Sequence, residues 1–271
     1  MPKLRDKLWI WGHEAGSHSK TAQRSGWGGI PPSRMTPAEA AFYMGIQRAV
    51  MVVFDNLPRP PFDQHAKAFS PLAEVVWSIL GDMSSTRNDG QSDLEEVLRI
   101  AAKYPNVTGA MMDDFFKEGV PRYSEQALVE IRNRLRHGPR PLDLWMVLYD
   151  YQLSLPLGPF PDLCDVITFW TWKGSELARL EENFNRFEAL CPRARRVLGC
   201  YMWNYGEKKP LAVDQMQHQC DLARRWLAEG RIDGVIFLAS CICDLDLEAV
   251  EWTRNWISRH GGETLPAPTS R

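Results

Sequence analysis

Short apolar runs recur along the chain, and each closes on a polar or aromatic cluster. They predict strands at Leu8–Gly12, Ala49–Asp55, Glu74–Leu80, Val107–Asp113, Leu142–Asp150, Asp165–Trp172, Arg196–Trp203 and Gly234–Ser240. Most are continuous rather than alternating, the pattern of strands covered on both faces. Helical stretches separate them. Thr36-Pro37-Ala38-Glu39 reads as a capping box with proline at the first helical position. Ser92 to Glu95 repeats the capping signature, and Ser124 to Arg136 carries Ala127, Leu128, Ile131 and Leu135 at helical spacing before His137-Gly138. Ser175–Leu190, Val213–Glu229 and Leu245–His260 complete the set, with Asp244 or Asp246 as caps of the last. The connection over 151–164 is proline-rich, so the helix after strand five is expected to be short or irregular.

Strand–helix alternation repeated about eight times predicts a parallel sheet. At 271 residues a single closed (β/α)8 barrel fits better than an open doubly wound sheet. The Gly-x-Gly-x-x-Gly turn of a dinucleotide-binding fold is absent. With no linker or composition break, one α/β domain over 1–260 is expected, followed by a disordered tail over 261–271 rich in Gly, Pro, Thr and Ser.

The net charge of −2 argues against a nucleic-acid partner, whose footprint is usually basic. The arginine groups 132, 134, 136 and 193, 195, 196 read as solvated faces. No apolar stretch reaches the roughly 20 residues that span a bilayer. The run Leu8-Trp9-Ile10-Trp11 is too short for a secretory signal and lacks a cleavage site. A cytoplasmic enzyme without a membrane partner is the expectation. The six cysteines show no paired-ligand spacing, and reduced buried thiols are expected, Cys241 among them as a packing residue. Many of the eleven tryptophans fall at strand ends, including Trp11, Trp27, Trp170, Trp172 and Trp203.

In a barrel of this kind the active site lies at the C-terminal strand ends. Those ends carry His13 and Glu14, Asp55 and Asn56, Asp82, Asp113 and Asp114, Tyr149-Asp150-Tyr151, Trp170-Thr171-Trp172, Trp203-Asn204-Tyr205 and Ser240-Cys241. Carboxylates mixed with tryptophan and tyrosine suit a sugar, whose hydroxyls take hydrogen bonds and whose C–H faces stack on rings. Two adjacent carboxylates in a poorly solvated pocket cannot both ionise cheaply, so one pKa rises, as a general acid requires.

The pair Asp113 and Asp114 after the fourth strand resembles the Asp-Asp or Asp-Glu pair of O-GlcNAcase-type and hexosaminidase-type barrel glycosidases, which use a substrate acetamido group as nucleophile. The resemblance implies that Asp113 polarises the acetamido group and Asp114 is the general acid. Tyr149 and Asp150 are similar to the Tyr-Asp that assists acetamido binding in chitinase-like barrels, although the chitinase signature Asp-x-x-Asp-x-Asp-x-Glu is absent. On this reading Asp113, Asp114, Tyr149 and Asp150 are catalytic. His13, Glu14, Asp55, Asp82, Trp172, Trp203, Asn204, Tyr205 and Glu207 bind the carbohydrate substrate, and no cofactor or metal is required. A two-carboxylate variant would use Asp82, Asp150, Glu207 or Glu14 beside Asp114.

Two further readings stay open. His13-Glu14-Ala15-Gly16-Ser17-His18 places its second histidine one position later than the zinc-protease spacing. A metal held by His13, Glu14, Asp55 and Asp113 would instead give a metal-dependent sugar isomerase, epimerase or hydrolase. A barrel that binds carbohydrate without chemistry is the third. The segment Ser17–Gly29 reads as a lid over the rim.

Overall fold

The eight apolar runs become eight parallel strands: β1 Leu8–Gly12, β2 Arg48–Met51, β3 Glu74–Leu80, β4 Val107–Met112, β5 Asp143–Tyr149, β6 Val166–Trp170, β7 Arg195–Tyr201 and β8 Gly234–Leu238. The computed structural model describes residues 1–18, 29–88, 92–138 and 140–266. Each strand pairs with its sequence neighbours, and β1 closes the ring by pairing with both β2 and β8. The chain is thus a closed (β/α)8 barrel. Strand two is shorter than its apolar run because the chain turns at Asp55 and Asn56, both at positive φ (50° and 64°).

The outer helices are α1 Pro37–Met44, α2 Asp63–Ala68, α3 Leu94–Lys103, α4 Glu125–Arg136, α5 Phe160–Leu163, α6 Leu180–Leu190, α7 Val213–Ala228 and α8 Glu248–His260. As the prolines predict, α5 is a four-residue turn. Thr36 forms the expected capping box with Glu39, and the Ser124 hydroxyl accepts the Ala127 N–H. Two caps differ from expectation. Asp93 rather than Ser92 stands at the start of α3, and its carboxylate is drawn away to Arg87 and Asn88. Leu247 starts α8 without a side-chain cap, so neither Asp244 nor Asp246 serves there.

Aromatic packing holds the helices to the barrel. Phe62 stacks on Trp77 of β3 at 4.8 Å, Phe187 of α6 on Phe169 of β6 at 4.9 Å, and Phe184 of α6 on Trp226 of α7 at 4.1 Å. Each such side chain, fully buried, contributes about 1.5–3 kcal/mol through its apolar surface. Inside the barrel, two strand glycines make room for indoles. A Cβ on Gly109 of β4 would stand 2.7 Å from Trp145 Nε1, and one on Gly199 of β7 would stand 2.0 Å from Trp170 Cδ2.

The stretch expected to be disordered from Gly261 is instead ordered as far as Pro266. Lys3 bridges Thr264, Leu4 N donates to Glu263 O at 2.8 Å, Leu265 N donates to Pro2 O at 2.9 Å, and Leu265 is buried. An apolar side chain and backbone bonds to the first residues supply what composition did not show. Residues 267–271 lie outside the described residues, as do Trp27 and residues 19–28 of the expected lid. Among the described residues, no helix is long and apolar enough to cross a membrane.

Candidate active site

At the C-terminal strand ends the barrel opens into a cavity of about 320 Å³. Seven of the residues expected there line it: His13, Asp82, Asp113, Asp114, Tyr149, Trp172 and Tyr205. Strand β4 delivers the acid pair. Asp113 N–H still bonds to Leu80 O of β3 at 2.9 Å, continuing the ladder. The chain then turns at Asp114, at φ 42°, so that both carboxyls face the cavity.

The two acids have different surroundings. Asp113 is buried, and its carboxyl accepts only the Asp114 N–H among the bonds seen, at 2.9 Å. Burial, followed by the charges of Asp114 and Asp82, pushes its pKa well above the usual carboxylate value. Asp114 accepts the Tyr149 hydroxyl at 2.7 Å and the Met83 N–H at 2.9 Å. Burial raises its pKa too, but both bonds pull in the other direction. Burial favours the protonated form of Asp113, and the two bonds to Asp114 favour its charged form. The hydrogen bonds favour the reverse of the division that the resemblance implied. Tyr149 stays protonated because burial and then Asp114 raise its pKa far above the ordinary phenol value.

Asp82 is occupied differently. Its carboxylate accepts Ser84 N and Oγ, Ser85 Oγ and Asp55 N, which fixes the loop after β3.

Six expected residues do not line the cavity. Glu14 lies 3.9 Å from His65, and Asp55 presents its backbone N–H to Asp82. Asp150 accepts the Trp172 backbone N–H at 3.2 Å, which ties the end of β6 to the turn after β5. Trp203 is buried in a two-residue ribbon with Pro210. Asn204 accepts the Gly174 N–H and donates to Glu207, whose carboxylate is held below its usual pKa mainly by that bond. These groups shape the rim, and the side chains of Asp150, Asn204 and Glu207 already have hydrogen-bond partners.

Other lining residues have no binding role assigned from the sequence: Tyr151, Trp170 and Trp11, which the sequence places at strand ends, and His18, Phe54 and Tyr201. Trp11, Trp170 and Tyr201 belong to strands, where an apolar run hides which side chains point inward and up. Trp11 meets Trp170 edge-on at 5.2 Å, and Tyr149 stacks on Tyr151 at 5.2 Å.

His13 and His18 come together across the Gly16 loop, with Nδ1 and Nε2 2.9 Å apart. The Trp11 indole N–H donates to His13 Nε2 at 2.9 Å. An indole nitrogen only donates, so Nε2 carries a lone pair and the ring proton of neutral His13 sits on Nδ1, facing His18. Burial and then His18 lower the His13 pKa well below the usual value, and burial lowers that of His18 to about 3. Both rings are neutral. The set His13, Glu14, Asp55 and Asp113 does not converge. Among the described residues, the group with metal-binding geometry is His13, His18 and Cys241.

No protein-family model matches the sequence, and no curated protein matches it. Solved structures do resemble the fold. A proposed α-L-fucosidase from Bacteroides thetaiotaomicron superposes with TM-score 0.60 at 9% identity, over 97% of this chain and 98% of the other. An FMN-binding β-glucuronidase from Faecalibacterium prausnitzii gives 0.51 at 10% identity, over 86% of this chain and 37% of the other. A tryptophan synthase α-subunit from Pyrococcus furiosus gives 0.49 at 13% identity, over 95% and 98%. At such identities the likeness is one of fold alone.

Proposed function

We propose that the chain is a glycoside hydrolase-like enzyme that cleaves a glycosidic bond in the cavity, with the Asp113–Asp114 pair supplying the proton. The observation that carries this reading is the pair itself: two adjacent carboxyls at one strand end, in an aromatic cavity, one held by two hydrogen bonds and the other buried with fewer. Asp113 gives its proton to the glycosidic oxygen as the C1–O bond breaks, and the leaving group departs as an alcohol. Asp114, its charge supported by Tyr149 and Met83, stabilises the oxocarbenium-like centre or holds the N–H of an acetamido group.

Adjacent residues of one turn approach a sugar from one side. Retaining and inverting pairs need carboxyls about 5–9.5 Å apart on opposite sides of the bond. Asp82, the other carboxylate lining the cavity, is committed to its loop. A nucleophile from the substrate, such as an acetamido oxygen, fits this one-sided arrangement. The volume of about 320 Å³ is at the small end of ligand pockets and suits a single pyranose. Trp11, Trp170, Trp172, Tyr201 and Tyr205 offer it ring faces. The likeness to barrels named for fucosides and glucuronides agrees at the level of fold.

The test is turnover on a panel of alkyl and nitrophenyl glycosides, N-acetylhexosaminides included. Asp113→Asn should lower kcat about 10²–10⁴-fold on alkyl glycosides, and much less on nitrophenyl glycosides, whose leaving groups need no proton. Equal turnover by Asp113→Asn and the parent on an alkyl glycoside would remove Asp113 as the acid. A chain that binds sugars but cleaves none of the panel would be a carbohydrate-binding barrel.

A further inference from the structure

We propose that His13, His18 and Cys241 form a transition-metal site in the cavity wall, of the nitrogen–sulfur type that suits Zn²⁺ or Co²⁺. Their donor atoms lie within 4.8 Å of one another. His13 Nδ1 is 2.9 Å from His18 Nε2 and 3.8 Å from Cys241 Sγ. Tetrahedral zinc, with bonds of about 2.0–2.1 Å to nitrogen and about 2.3 Å to sulfur, sets N···N near 3.3 Å and N···S near 3.6 Å. Closing around an ion therefore asks shifts of a few tenths of an ångström from those two pairs, and the His18–Cys241 pair, within 4.8 Å, closes by up to about 1 Å.

The ligands come from opposite ends of the sequence, and the fold fixes them together. His13 follows β1 and stacks on Phe54 at 4.6 Å, while His18 packs edge-on against Tyr205 at 5.7 Å. His13 N–H donates to the hydroxyl of Ser240, next to Cys241, joining the end of β1 to the loop after β8. Burial keeps both imidazoles neutral, the form a metal binds. Three protein ligands leave a fourth position. Because His13 and His18 line the cavity, that position is open to water or to a ligand, as in catalytic rather than structural zinc sites.

Trp11 gives the site a signature. Its N–H holds the lone pair of His13 Nε2, so the single ring proton of His13 is on Nδ1, where the ion must sit. Binding at Nδ1 moves that proton to Nε2, so His13 stays a neutral ligand but gives up the bond from Trp11, and binding at Cys241 displaces the thiol proton. One proton leaves as one divalent ion enters. In Trp11→Phe the Nε2–H tautomer sacrifices no hydrogen bond, so the same ion binds more tightly than in the parent.

The experiment uses the full chain, stripped with chelator and titrated with Co²⁺ alone, with absorption spectra and proton release recorded. The expected result is one equivalent bound, a thiolate-to-cobalt charge-transfer band, about one proton released per ion, and tighter Co²⁺ binding by Trp11→Phe than by the parent. Cys241→Ser, and Cys241→Ala as a second variant, should abolish the band. His18→Ala should weaken binding at least about 100-fold, since loss of a mere outer partner of a ligand costs 10–100-fold. Metal-free melting curves establish that each variant is folded. No saturable band up to millimolar Co²⁺, a band that survives both Cys241 variants, or binding by Trp11→Phe no tighter than by the parent would each overturn the assignment. These readouts do not involve glycoside turnover, so the metal site and the acid pair stand or fall separately.

Discussion

The Tyr149 hydroxyl donates to Asp114 Oδ1 at 2.7 Å, joining the ends of strands β4 and β5 across the cavity. The bond favours the charged form of Asp114. A hydrogen bond to a charged group contributes about 1.5–3 kcal/mol. Tyr149→Phe should raise the pKa of Asp114, because it removes a donor that favours the ionised form. The acidic limb of the pH–rate profile should then move to higher pH, while the melting temperature changes little. An unmoved limb on an active substrate would show that Asp114 does not titrate in catalysis.

Asp113 and His18 should give opposite slopes of stability against pH. The folded pKa of Asp113 is raised, so its contribution is fully present below about pH 3.9, the unfolded value, and is lost as pH rises through the folded value. Asp113→Asn should therefore be more stable than the parent at neutral pH. His18 is lowered from 6.5 to about 3. Its contribution is present above pH 6.5 and lost as pH falls toward 3, a loss on the order of a few kcal/mol. Denaturant melts of the parent, Asp113→Asn and His18→Asn across pH 4–8 test both signs. A parallel set of curves would refute them.

Gly199→Ala should be among the most damaging small substitutions. The added Cβ would meet the Trp170 ring at 2.0 Å, and that ring lines the cavity and bonds through Nε1 to Thr168 Oγ1 at 2.8 Å. Overpacking costs about 1–3 kcal/mol. Ligand affinity should fall with stability, measured by calorimetry and thermal melts, because the indole has to move.

Asn204→Ala separates support from contact. The side chain is buried, accepts the Gly174 N–H and donates to Glu207. Leaving that N–H unsatisfied costs about 1–3 kcal/mol. The melting temperature should drop, with KM on an active substrate close to the parent value. A KM that rises strongly without a stability loss would return Asn204 to the substrate.

The fold was legible because buried parallel strands leave continuous apolar runs, and all eight appear close to their expected bounds. The acid pair was legible for the same reason: two carboxylates directly after Met112 interrupt such a run. Asp150, Asn204 and Glu207 show where that reasoning ended. A polar side chain at a strand end can bond to a loop backbone as readily as to a ligand, and the sequence does not say which. Trp11, Trp170 and Tyr201 show the reverse. Within a strand buried on both faces, an aromatic ring carries no mark of which side it faces. The meeting of His13 with His18 and Cys241 depended on β1 closing against β8, a contact between distant parts of the chain.

Among the described residues three tryptophans, Trp11, Trp170 and Trp172, border the cavity. An entering ligand displaces water from their rings, so intrinsic fluorescence should respond to occupancy without any attached dye. Emission shifts in a titration would rank candidate sugars, and quenching by an open-shell ion would report on the wall beside Trp11, in the same cuvette.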